Sequence, residues 1–207
     1  NMAKNILVLE GSALWAKVFE PDTKFNPLGD YSINLQMPVA DAAAMSEQLE
    51  SIVQAKFNEA IKEDPRLKNT LTTQDVYTTV FDRETGDDTG LVEFKFKLKA
   101  KVQKRDGTYY EQQPAVLDSK KVPISKDVLV GNGSRVKVAF EPIPYVMAST
   151  KKAGVSLRLK AVQVIDLVEY GNSAASVFDE EDGFVAPPAT EAANAPVIEE
   201  LADAADF

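Results

Sequence analysis

Four lysines take alternate positions in one extended run. They are Lys95, Lys97, Lys99 and Lys101, interleaved with Phe94, Phe96, Leu98, Ala100 and Val102. Strict alternation puts the two sets on opposite faces of a strand. Side chains on one face recur every ~6.6 Å, close to the phosphate repeat of an extended nucleic-acid strand. Two readings stay open: an edge strand guarded against aggregation by lysine, and a phosphate track. A second basic face (Arg135, Lys137), a third (Arg158, Lys160) and the Lys151-Lys152 pair favour the track. Several basic faces on one barrel make a groove, and a groove concentrates potential more than scattered charge does.

Single strands are also gripped by stacking, worth about 1–3 kcal/mol per base. The candidate rings are Trp15, Tyr77, Tyr109, Tyr110 and Tyr145. Trp15 falls on the same face as Lys17, which would present it to solvent. Tyr145 ends Pro142-Ile143-Pro144-Tyr145, where two prolines stiffen the approach to an exposed ring. Tyr31 shares a face with Ile33 and Leu35, and Phe94 and Phe96 face away from the lysines, so these three belong to the core.

Most catalytic chemistry is excluded by composition. The chain has no Cys and no His among its 207 residues. Thiolate nucleophiles, disulfides, Ser-His-Asp triads and His-based metal sites are therefore impossible. The acid pairs Asp87-Asp88 and Asp179 to Asp182 lie in loop-like sequence, poorly suited to holding two metals rigidly. There is no Gly-x-x-x-x-Gly-Lys phosphate loop. The expectation is a protein that is not an enzyme and needs no cofactor. No stretch approaches the ~20 apolar residues of a membrane span. The start, Met2-Ala3-Lys4-Asn5, lacks a secretory apolar segment, so a cytosolic location is expected.

Charge is unevenly distributed. The formal net charge is −9. Residues 172–207 contain nine acids and no Lys or Arg, so they supply all of it. Within the remainder, residues 1–94 are acidic, whereas residues 95–160 hold 15 basic and 5 acidic residues. Acidic ends are often simply solubilising. This one also alternates apolar residues (Val197, Ile198, Leu201) with Asp203 and Asp206, and it ends in Phe207. Acids suit competition with phosphate, and an apolar end suits docking on a partner.

The elements that must position these residues are mostly strands. Ala13–Glu20 reads as extended, and Tyr31–Met37 alternates with Tyr31, Ile33, Leu35 and Met37 inward. Met45, Leu49, Ile52, Val53, Phe57 and Ile61 then recur at helical spacing, which predicts one amphipathic helix over about 39–62, ahead of Pro65. Strands follow at 76–81 and from Leu91. Asp106-Gly107 marks a hairpin, and the segment from Thr108 to Asp118 returns. After the Gly131-Asn132-Gly133 turn, Val136, Val138 and Phe140 face inward. In the last strand, Val155–Val168, Leu157, Leu159 and Ala161 lie opposite Arg158 and Lys160. Residues 172–207 have the composition of a disordered tail. The expected fold is mainly β: an OB-fold, five-stranded Greek-key barrel over 1–171 with one capping helix and an acidic tail.

In this order, these segments resemble the single-stranded DNA-binding proteins of T-seven-like phages. The resemblance rests on Met2-Ala3-Lys4, Asn26-Pro27, Phe94-Lys95-Phe96-Lys97 and Val122-Pro123-Ile124. It continues through Gly131 to Val138, Ile143-Pro144-Tyr145, the block from Gly154 to Gly171, Gly183-Phe184-Val185-Ala186 and a terminal Asp-Phe.

The resemblance implies sequence-tolerant binding of single-stranded DNA, with no enzymatic activity, in phage replication and recombination within the cytoplasm of a bacterial host. It implies a homodimer, and an acidic tail that covers the groove and, once displaced, recruits replicative polymerase and helicase. Lys4, Lys95 and Lys97 match DNA-contacting lysines, Tyr145 a stacking tyrosine, and Phe207 the partner-docking phenylalanine. The family has an aromatic where this chain has Lys99, so Trp15 is expected to supply the second ring. The full expected DNA set is Lys4, Trp15, Lys17, Lys95, Lys97, Lys99, Lys101, Tyr145, Lys151, Lys152, Arg158 and Lys160, with Asp203, Asp206 and Phe207 docking partners. The rival readings are a phage structural or scaffolding protein without DNA affinity, and a mediator that anneals complementary strands.

Overall fold

A computed structural model describes residues 5–169 and 184. Lys4, Asp203, Asp206 and Phe207 lie outside the described residues, as does nearly all of 172–207. The chain divides into a compact unit, Asn1–Asn172, and a second, Ser173–Phe207.

The elements run β1 (Leu7–Asp22), β2 (Asp30–Pro38), α1 (Val39–Glu63), β3 (Thr72–Thr73), β4 (Thr78–Phe81), β5 (Asp88–Lys99), β6 (Lys101–Gln103), β7 (Tyr109–Glu111), β8 (Ala115–Leu117), β9 (Arg135–Met147) and β10 (Lys152–Asp166). Five long strands close a barrel in the order β10-β9-β1-β2-β5. The neighbours are antiparallel except at the seam, where β5 meets β10 in parallel with Lys97 opposite Arg158. Closure leaves these five strands few free edges. This is the five-stranded barrel expected from the alternation.

The inward residues are those the period-2 pattern selects. Ile33, Leu35, Phe94, Phe96, Val136, Val138, Phe140 and Leu159 are fully buried. Phe96 and Phe140 meet inside the barrel with centroids 5.0 Å apart. Each such side chain contributes about 1.5–3 kcal/mol by burial, enough to fix strand register, since a one-residue slip would expose them all.

Helix α1 begins directly after Pro38 and ends before Asp64-Pro65, where proline cannot continue it. Its buried line is Ala42, Ser46, Leu49, Val53 and Ala60. Phe57 and Ile61, expected on that line, are only half-buried. Small residues let the helix sit close to the barrel, and the bulkier ones are pushed to the flanks.

Three differences from simple alternation matter for the outer face. First, β1 bulges after Leu14. Trp15 sits there at φ 52, a left-handed backbone that costs a non-glycine residue on the order of 1 kcal/mol. Second, β10 bulges at Lys160, between Leu159 and Ala161. Beyond it Val162 and Val164 turn inward, so Ala161 does not share the inner face of Leu157 and Leu159 as expected. Third, β5 ends at Lys99. Lys101 therefore leaves the expected four-lysine line and starts a separate hairpin, β6–β7. That hairpin turns at Gly107, φ 87, with Asp106 accepting from the Thr108 N–H and hydroxyl.

Candidate nucleic-acid interface

The outer face of β2 and β5 offers two adjoining cavities, with Lys95 and Lys97 lining both. The first lies between β1, the 23–29 loop, β2 and β5, and is lined among others by Trp15, Lys17, Phe25 and Asn34. The second lies between β5, the β6–β7 hairpin and β10, lined among others by Lys99, Tyr110, Ile143 and Arg158. In OB barrels this strand pair and the loops between strands 1–2 and 4–5 are the usual place for an oligonucleotide.

Trp15 reaches this face because of the bulge. Without it, residue 15 would follow Gly11 and Ala13 inward. Its N–H donates to Asn132 Oδ1 at 2.9 Å, and the Gly131–Gly133 turn is tied to β1 by Gly133 N–H to Ala13 O and Ala13 N–H to Ser134 O. The ring is left 56% exposed. Burying it elsewhere would yield roughly 1.5–3 kcal/mol, which the fold forgoes while keeping a strained backbone in place. Strain of this kind gathers at working sites.

Not all the basic residues are equally free. Lys17 Nζ donates to Asp22 Oδ2 at 2.8 Å. That bond, then the Lys24 backbone N–H, holds the Asp22 carboxyl below the usual carboxylate range. Lys97 lies 4.0 Å from Asp30, and Lys101 lies 3.6 Å from Glu111 across its hairpin. Arg158 and Lys160 share one oxygen of Glu141, at 3.9 and 3.4 Å. Lys95, Lys99, Lys151 and Lys152 have no ion-pair partner among the described residues.

Glu141 Oε2 is buried with no hydrogen bond, so it holds two cations by charge alone and offsets part of their positive charge. Glu141→Gln should therefore tighten single-strand binding about two- to fivefold, the worth of a partly exposed pair, measured by anisotropy at low salt. Weaker binding by a variant that keeps the wild-type melting temperature would show that Glu141 orders the two cations instead.

The structure joins Trp15, Lys17, Lys95 and Lys97 in one cavity and Lys95, Lys97, Lys99 and Arg158 in the other. Tyr145 lines neither. It is on the same outer face of the β9–β10 ladder, opposite Gly154, which lies four residues from Arg158 on β10. Its ring lies across Gly154, where an added methyl would come within 2.5 Å of Tyr145 Oη. Lys151 and Lys152 stand at the adjacent β9–β10 turn. Lys160 is half-buried at its bulge. Arg135 pairs with Glu10 at 3.5 Å, and neither it nor Lys137 lines the two cavities, so the expected groove of three basic faces is a groove of two. Tyr77 packs edge-on against Phe94, centroids 5.8 Å apart, and is not a platform.

Tyr110 and Phe25 are the residues whose placement alternation did not give. Phe25 sits in a loop without periodicity, beside Lys24, and no spacing marks it. Among the described residues, no group of three Asp, Glu, His or Cys is placed to hold a metal, so Asp87-Asp88 stands without further ligands. No described helix is long and apolar enough to cross a membrane.

The family described as "Single-stranded DNA-binding protein, Bacteriophage T7" matches residues 11–167. The single-stranded DNA-binding protein of Escherichia phage T7 is 28% identical over 173 residues, 78% of this chain and 73% of that protein. Its counterpart from Enterobacteria phage T3 is 28% identical over 166 residues, 75% and 70% of the two chains. The crystal structure of the bacteriophage T7 protein superimposes with a TM-score of 0.66 at 25% identity, over 89% of this chain and 100% of that one.

Proposed function

The chain belongs to the single-stranded DNA-binding protein family of bacteriophage T7, and from that premise we propose that the outer face of β2 and β5 is where it holds single-stranded DNA. The family is one of binding proteins, not of enzymes. The reading is carried by one observation: outward lysines of β5, the Arg158 of β10 and an exposed tryptophan of β1 converge on that face.

In this reading Lys95, Lys97, Lys99 and Arg158 hold phosphates. Trp15 and Tyr145 stack bases at the two ends of the path, and Lys151 and Lys152 continue the positive track past Tyr145. Lys17, Lys101 and Lys160 contribute less, because their carboxylates stand closer, at 2.8, 3.6 and 3.4 Å, than those of Lys97 and Arg158, at 4.0 and 3.9 Å. Stacking and charge without base-edge readout give tolerance of sequence. Lys4 adds a further phosphate contact, and residues 172–207 compete with DNA and then dock polymerase and helicase through Asp203, Asp206 and Phe207. The working form is a homodimer in the host cytoplasm.

The test is anisotropy of labelled oligo-dT with the full chain at several salt concentrations. Binding that strengthens as salt falls, with a slope of about −0.7 per phosphate contact, and that is weaker for duplex supports the reading. No binding at any salt overturns it in favour of a structural role.

Tyr145→Ala should cost about 1–3 kcal/mol with the salt slope unchanged, as for a lost stacking ring. Gly154→Ala should reproduce part of that loss with a nearly native melting temperature. Its methyl meets the end of the Tyr145 side chain, not backbone, so the ring turns aside and the sheet remains. A Gly154→Ala protein with full affinity would mean the observed ring position is not the binding one.

A further inference from the structure

Among the described residues of the barrel unit, Phe25 is the most exposed large apolar side chain, at 87%. It lies in the loop between β1 and β2, in the same cavity as Trp15. Nothing in the fold accounts for it. It belongs to no core cluster, and the ring–ring contacts among the described residues are Tyr77–Phe94 and Phe96–Phe140. Its one described partner is the Lys24 ammonium, 5.4 Å from the ring centroid. That cation sits over one face of the ring and leaves the other open.

We propose that Phe25 is a third stacking ring and that, with Trp15, it forms a single base-binding station above β2. Four observations meet there. Two exposed aromatic rings, Trp15 and Phe25, stand at one cavity, and among the described residues neither packs on another ring. The cavity is bordered by Lys95 and Lys97, which hold the backbone the bases hang from. Ser32 and Asn34 of β2 form part of its lining; Ser32 offers a hydroxyl and Asn34 its amide oxygen, the Asn34 amide nitrogen donating to Glu93 Oε2 at 3.4 Å. The ligand class is thus a nucleobase of an unpaired strand; paired bases present no open face to a ring. Lys24 supplies a phosphate contact beside the ring it steadies.

This inference rests on the single-strand reading above, and its test separates the two. Oligo-dT binding is measured by anisotropy across salt for the full chain and for Phe25→Ala, Phe25→Leu and Phe25→Trp. The expected result is about a tenfold loss for Ala and for Leu, an unchanged salt slope, and retained affinity for Trp, since stacking needs a ring face. The side chain packs on nothing but Lys24, so melting temperatures should stay at the wild-type value. Wild-type affinity in Phe25→Ala overturns the station while leaving the single-strand reading intact. Full binding by Leu, or a loss that appears as a change of slope, also overturns it, assigning the effect to bulk or to Lys24. Absence of binding by the wild type itself overturns the parent reading.

Discussion

The full chain carrying Lys95→Glu and Lys97→Glu should lose single-strand affinity by roughly a thousandfold at low salt. A phosphate about 4 Å from a lysine at the protein surface gains about 1 kcal/mol in high dielectric, and reversal of the charge costs as much again. Two such positions give about 4 kcal/mol, or three decades. The salt slope should fall by at least ~1.4, because two contacts are lost at about 0.7 each. Both side chains point outward from β5, on the face opposite Phe94 and Phe96, so the core is not disturbed. Across β2 their neighbours are Asn34 and Ser32. The new repulsions, of residue 97 with Asp30 and of residue 95 with Glu93 two places before it on the same face, lower melting slightly. Lys101→Glu provides the internal comparison. It sits on the β6–β7 hairpin against Glu111, so its reversal should cost clearly less than either β5 substitution. Anisotropy titrations on the three proteins decide the matter. A loss below tenfold in the double variant would mean that β5 is a guarded strand and that DNA lies elsewhere.

The contrast between Lys97 and Lys101 also shows how far the sequence could be read. Alternation is a local property, and it identified β2, β5 and β9 with their buried faces because burial on one side of a pleated strand is what alternation records. The helix was equally legible from its 3.6-residue spacing. Alternation was blind to events that distant residues impose. The bulge that brings Trp15 outward is held by a side chain 117 positions away, Asn132. The bulge at Lys160 is paid for by the ladder with β9. At Lys160 the apolar residues do change parity, from Leu157 and Leu159 to Val162 and Val164, but which residue bulges is decided by the pairing with β9.

The carboxylates that partner the basic residues were hidden for the same reason. Glu141 reaches Arg158 only through the β9–β10 register, and Glu111 reaches Lys101 only once the hairpin closes. Four lysines in a row therefore looked equivalent, whereas the fold leaves Lys95 and Lys99 without a carboxylate partner among the described residues and neutralises Lys101. Phe25 was missed because a loop has no period. Its signal is exposure, which exists only once a fold does.

Cutting the chain after Gly171 should tighten single-strand binding about tenfold at low salt, and the gain should vanish as salt rises. The segment removed carries nine acids and no base, and the body it leaves is formally neutral with its positive charge concentrated in residues 95–160. At full extension 36 residues span on the order of 120 Å, so reach does not limit access to the groove. A competitor joined to its target by its own chain acts at an effective concentration of order millimolar. A groove–tail affinity of only ~100 µM is then enough to occupy the groove nine-tenths of the time and to weaken DNA tenfold. Because the competition is between like charges for the same lysines, it should be screened over a Debye length of about 8–10 Å at physiological salt, and the two titration curves should converge there. Phe207→Ala offers the complementary measurement. It leaves all nine acids in place, so DNA affinity should equal that of the full chain, while any docking on a partner protein is lost. The two effects are separable because one is carried by charge and the other by a single apolar ring. Equal affinity of the full chain and of residues 1–171 at low salt would remove the competition, and would leave the acids with no role in gating the DNA face.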